Sequence, residues 1–231
     1  MRSIVEDYFE FYETFKEKYS EILKSRNVKI LSSFLVNKSN IIEFHKKYVE
    51  PNAPKIVICG INPGRNGAGL TGIPFIDFAS LSQMLPDIKQ NDWEQSAKFF
   101  FSVIQEFGIE TFYKNFHVTN ISWFGFSRID KQKNVNYFEK DISTEIAIYL
   151  IDKFVEEMEL INPDYIIPLS KTVFYELESL KKRNKIKAEI GICLNHPSWV
   201  TTYRSKDLSK WKQKYVDILS YYIDEKKSTN P

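Results

Sequence analysis

Lys55-Ile-Val-Ile-Cys-Gly-Ile-Asn-Pro-Gly64 joins a short apolar run to a turn built from glycine and proline. An apolar run of strand length that ends in glycine is the pattern of a strand buried on both faces. Three more segments read as strands: Phe116-His-Val-Thr-Asn120, Asp164-Tyr-Ile-Ile-Pro-Leu169 and Glu189-Ile-Gly-Ile-Cys-Leu194. Helical spacing of apolar residues covers Ile4 to Leu23, Ile41 to Val49, Trp93 to Phe107, Ile142 to Leu160 and Lys206 to Asp224. Ser170 is placed to cap a further helix reaching about Lys182. Strands separated by helices predict an α/β fold, a three-layer αβα sandwich with a mostly parallel four-stranded central sheet. Ligands of such sheets bind at the carboxyl ends of the strands. Asn62 to Gly64, Asn120 to Trp123 and His196 to Ser198 all fall at expected strand ends, so distant segments should meet along one edge.

The bulk numbers narrow the class. A chain of 231 residues, 43% hydrophobic and 27% charged, suits one soluble globular domain. Pro51 and Pro54 end the N-terminal helical part. Residues 1–50 are therefore expected as a helical extension packed on the rest, in a single domain spanning 1–231. No run of 18 apolar residues occurs, and Met1 to Glu21 lacks the apolar core of a signal peptide. The expectation is a cytoplasmic monomer without membrane attachment. The two cysteines, Cys59 and Cys193, lie in apolar runs and are expected to be buried thiols. Two thiols cannot supply a four-thiolate cluster, and the three histidines show no zinc spacing. No metal and no cofactor is expected. From Lys171 onward 13 Lys and Arg face 7 Asp and Glu, a basic bias compatible with phosphate contacts.

Gly60 to Phe75 holds five glycines and two prolines in 16 residues. Glycine lets a backbone approach a ligand closely, and proline stiffens the turn. Such a loop after a strand offers N–H groups to a bound ligand. It is not a P-loop, since no Gly-Lys-Ser/Thr ending follows, and it does not fit Gly-x-Gly-x-x-Gly.

Gly60-Ile-Asn-Pro-Gly64, with Gly67 and Thr71-Gly-Ile-Pro-Phe75 following in register, resembles the first motif of the single-strand-selective monofunctional uracil-DNA glycosylases. Asn195-His-Pro-Ser198 resembles the second motif of the wider uracil-DNA glycosylase superfamily. Asn120 stands where that family places a base-reading asparagine. The resemblance runs from about Lys55 to Val200 and implies a uracil-DNA glycosylase-like fold acting on DNA, single- or double-stranded. It implies a dissociative cleavage of the N-glycosidic bond by water. Asn62 would orient the water and His196 would stabilise the departing base. Gly64, Ala68, Phe75 and Asn120 would bind that base, Phe75 by stacking and Asn120 by pairing its amide with N3–H and O4 of uracil. After the second motif, Ser198, Trp199, Tyr203 and Arg204 would contact DNA, with Tyr203 or Arg204 as the wedge and Trp199 as a stacking surface.

The chain departs from the family pattern in two places. Arg65, Asn66, Ala68 and Leu70 replace the usual first-motif residues, and Trp199-Val-Thr201 replaces Pro-Arg-Asn. These changes open the range of bases to hydroxymethyluracil, xanthine or hypoxanthine. The competing reading is a non-catalytic nucleic-acid or nucleobase-binding module on the same fold. Asp77 reads as a cap or structural residue, and His45 and His117 as structural or surface groups. Ser122 to Arg128, aromatics beside a cation, reads either as a DNA contact or as packing beneath the site.

Overall fold

The structure is a computed structural model describing residues 4–229. The expected domain limits at Met1 and Pro231 lie outside the described residues. In chain order the elements are α1 (Ile4–Ser25), β1 (Val28–Ile30), α2 (Lys38–Phe44), β2 (Ile56–Gly60), α3 (Ala68–Thr71), α4 (Phe78–Met84), α5 (Gln95–Phe107), α6 (Ile109–Asn115), β3 (Phe116–Asn120), β4 (Phe126–Arg128), β5 (Asn134–Val135), α7 (Thr144–Ile161), β6 (Tyr165–Pro168), α8 (Lys171–Lys182), β7 (Glu189–Ile190), α9 (Pro197–Tyr203) and α10 (Leu208–Thr229).

The central sheet has the expected four strands, all parallel, in the order β3-β2-β6-β7. Every residue of β2 and β3 is buried, so both faces of the sheet centre are covered by helices. The chain lays β3 on one side of β2 and β6 on the other. The strand order therefore reverses beside β2, and a crevice forms above its carboxyl end. Gly60 pairs with Asn120 in register, which brings the two strand ends level.

Helix limits follow local chemistry. Val5, Phe9, Tyr12, Phe15, Tyr19 and Leu23 give α1 one buried stripe. Ser143 caps α7 by accepting from Ile146 N–H, and Asn162 closes it in the left-handed region ahead of Pro163. Ser170 caps α8 as expected, accepting from Val173 N–H at 3.2 Å.

Three expectations are corrected, and one sheet is additional to them. Trp93 is not on the buried face of a helix: α5 begins at Gln95 and Trp93 is 63% exposed. The last strand ends at Ile190, because Ile192 N–H turns away to Tyr222 Oη at 2.7 Å. Cys193 is consequently only half-buried, whereas Cys59 is fully buried. A second, antiparallel sheet, β1-β4-β5, was not foreseen, since strands of two or three residues show no periodicity.

The helix expected over Ile41 to Val49 begins at Lys38 and widens into a π turn at His45–Val49. His45 is half-buried there, and its buried Nδ1 has no hydrogen-bond partner among the described residues. Burial, aided by nearby His117, lowers its pKa from 6.5 to about 3. Between those values the unfolded chain binds a proton that the folded chain refuses. Stability is therefore lost as pH falls from 6.5 towards 3. In urea titrations from pH 6 to 4, His45→Gln is expected to flatten the decline by about 1 kcal/mol per pH unit. Parallel curves for variant and wild type would contradict this.

Candidate active site

The ends of β2, β3 and β5 and the starts of α3, α5 and α9 build a cleft of about 360 Å³ at the carboxyl edge of the parallel sheet. Asn62 and Gly64 come from the loop after β2, Ala68 from the first residue of α3, Phe75 from the segment between α3 and α4, Asn120 from the tip of β3, and His196 and Ser198 from the entry to α9. The side chains that the sequence singled out for the reaction and the base thus share one cavity.

Gly60 is what allows two of them to meet. A Cβ there would lie 2.3 Å from Asn120 Oδ1 and 2.6 Å from Phe75 Cζ. Asn120 is 3% exposed, and its side-chain amide makes no hydrogen bond among the described residues, leaving donor and acceptor available to the cleft. Phe75 packs on Phe100 at 4.9 Å and lies 5.6 Å from the His196 ring. Its φ of +59° is unfavourable for a bulky side chain, and backbone strain of this kind gathers at functional sites.

The small antiparallel sheet holds Asn62. Its Oδ1 accepts from Tyr137 N–H at 3.3 Å, and its Nδ2 donates to Pro63 and Val135 carbonyls at 3.3 and 3.5 Å. The amide is thereby fixed in one orientation, with one Oδ1 lone pair left over. Asn134 Oδ1 accepts from Arg65 N–H at 3.1 Å, pinning the loop one turn further on. Gly125 lets the backbone before β4 pass under Pro63, whose carbonyl would lie 2.2 Å from any Cβ there.

His196 caps α9: its Nδ1 accepts from Ser198 N–H at 3.2 Å and is 2.8 Å from Ser198 Oγ. A backbone N–H can only donate, so Nδ1 carries no proton and the neutral ring bears its hydrogen on Nε2. Burial lowers the pKa from 6.5 to about 4, against the opposing pull of the Glu94 carboxylate. At neutral pH His196 is an uncharged N–H donor. Tyr215 of α10 donates to the Asn195 carbonyl and steadies the segment.

Glu94, Ser96, Asn134 and Asn136 also line the cleft and were missed. Glu94 caps α5, accepting from Ala97 N–H at 2.8 Å and from Ser96 Oγ. A Glu before a helix is too common a pattern to have pointed to the site. Asp77 has the structural role expected of it: it caps α4 through Ser80 N–H at 2.8 Å and accepts from Glu94 N–H at 2.7 Å.

Outside the cleft, Trp199 stacks edge-on against Trp211 at 5.5 Å, and the Arg204 guanidinium lies 5.3 Å over its ring. Tyr203 is 66% exposed. The segment Ser122 to Arg128 packs beneath the site: Trp123, Phe124 and Phe126 are buried, and Arg128 pairs with Asp141. Buried Glu157 of α7 accepts from Thr119 Oγ1 at 3.0 Å and Trp123 Nε1 at 2.9 Å, and lies 2.8 Å from His117 Nε2. One carboxylate thus ties together side chains on both sides of Asn120. Glu157→Ala would take their carboxylate partner from His117, Thr119 and Trp123, leaving Thr119 only a 3.5 Å contact to the Asn120 carbonyl, and is expected to cost about 3–5 kcal/mol. That corresponds to a Tm roughly 10 °C lower by calorimetry; a fall under about 2 °C would remove this role. Among the described residues, no group of three His, Cys, Asp or Glu is gathered that could hold a metal ion.

A family model described as the uracil DNA glycosylase superfamily matches residues 46–220. The crystal structure of wild-type Pedobacter heparinus SMUG2 is similar, with a TM-score of 0.74 and 26% identity over 91% of this chain and 98% of that one. No curated protein sequence matches.

Proposed function

Because the chain belongs to the uracil DNA glycosylase superfamily, on the branch to which its likeness to SMUG2 points, we propose that it hydrolyses the N-glycosidic bond of uracil in DNA. The observation that carries this reading is the convergence of Asn62, Phe75, Asn120 and His196 on one cleft. A flipped uracil stacks on Phe75. Asn120 Oδ1 accepts from N3–H and Nδ2 donates to O4, a pairing that cytosine reverses. As the bond from C1′ to the base breaks, negative charge grows on the base, and His196 Nε2–H donates to O2. A water held by the free lone pair of Asn62 Oδ1 adds to C1′, and its proton passes by way of solvent to the departing base anion. The products are the free base and an abasic sugar. Among the described residues no lysine lines the cleft, which fits direct hydrolysis rather than a Schiff base with the sugar.

The test is a panel of single- and double-stranded oligonucleotides carrying uracil, hydroxymethyluracil, xanthine or hypoxanthine. Abasic sites are expected from uracil. Their absence across the panel would overturn the reading, and salt-dependent binding without cleavage would favour a non-catalytic module.

A further inference from the structure

Beside the cleft runs a second concavity of about 470 Å³, between α5, α9 and the start of α10. The first turn of α5 separates the two. Glu94, Ser96 and Ala97 face the cleft, whereas Trp93, Gln95 and Lys98 face the groove. Helix α9 is shared in the same way, with Ser198 on the cleft and Thr201 on the groove.

The lining has the chemistry of a single nucleic-acid strand. Trp93 offers a large ring at 63% exposure, with Lys98 Nζ over one of its faces at 5.9 Å from the centre. Lys98 makes no ion pair among the described residues, and Lys212 at the far side is held by Glu106 at 2.7 Å. Thr201, Ser205 and Ser209 line the groove between them, beside apolar Phe99 and Leu208, and among the described residues no acid lines it. An open aromatic face beside unpaired positive charge suits a base stacked on the ring and a phosphate on the cation. A paired base in a duplex cannot present its face in this way.

We propose that this groove binds an unpaired DNA nucleotide flanking the one in the cleft, its base on Trp93 and its phosphate at Lys98. The proposal rests on the glycosylase reading for its choice of DNA, and its test does not depend on catalysis. Anisotropy of a labelled, undamaged oligothymidylate would be measured with the full chain, in wild type, Trp93→Ala, Trp93→Phe and Lys98→Gln, at several salt concentrations. A blunt duplex serves as the parallel probe.

Trp93→Ala is expected to weaken single-strand binding roughly 10-fold, the size of one lost base-stacking contact, and Trp93→Phe to restore most of it. Lys98→Gln is expected to lower the salt slope by about 0.7, as for one phosphate on a single strand. Duplex affinity should stay within about 2-fold, since the stacking contact is absent there. Wild-type affinity in both Trp93→Ala and Lys98→Gln would overturn the proposal, and so would equal losses on duplex and single strand. If the variants weaken single-strand binding while the wild type cleaves nothing, the groove stands and the glycosylase reading falls. Both replaced side chains are exposed, so unfolding is not expected, and matching circular dichroism melts would establish that.

Discussion

Asn62→Ala is expected to slow excision of uracil by roughly 100-fold or more in single-turnover experiments, the usual cost of removing one oriented polar group from a reaction centre. The size follows from how Asn62 is held. Three backbone contacts, to Pro63, Val135 and Tyr137, fix its amide, so its remaining lone pair has one direction. Fixing a water before the bond breaks removes orientational entropy from the transition state. Alanine leaves the fold intact and the water unplaced, so the rate of the chemical step should fall while affinity for DNA is retained. An unchanged single-turnover rate would refute the role.

His196→Ala is expected to have a loss of similar size, with a different dependence on the leaving group. The Nε2–H of His196 matters in proportion to the charge that the departing base must carry. A 5-fluorouracil leaving group carries that charge more easily, so the deficit of His196→Ala should shrink on it. The deficit of Asn62→Ala should stay the same, because placing the water does not depend on the base. Equal deficits of His196→Ala on both bases would remove His196 from the leaving-group role. The pH profile gives a second check. Burial holds the His196 pKa down at about 4, so the ring is neutral from pH 5 upward and its contribution should be constant there. A rate that declined between pH 8 and 6 as this ring gained a proton would contradict a neutral donor.

Much of the fold was legible in the sequence, because a buried parallel strand leaves a strong local signature. Ile56 to Gly60 and Phe116 to Asn120 are buried at every position; the first appears as an uninterrupted apolar run and the second alternates Phe116 and Val118 with polar residues. Once those strands are parallel, their carboxyl ends share an edge, which brings Asn62, Asn120 and His196 together. Caps such as Ser170 and Asp77 were legible for the same local reason. The short sheet β1-β4-β5 was not, since two or three residues carry no period and its stability comes from partners far along the chain.

The sequence alone determined which residue types stand at the strand ends, and with them the family and the sheet. Tertiary structure alone decided what state those groups are in. The orientation of the Asn62 amide depends on Val135 and Tyr137, more than 70 residues away. The proton of His196 sits on Nε2 because Ser198 N–H occupies Nδ1, and the ring is uncharged because the folded chain buries it. The Glu94 carboxylate reaches the cleft only because α5 packs with its first turn there. Hydrogen-bond direction, tautomer and charge depend on neighbours in space and on exclusion of water, neither of which is written in local sequence.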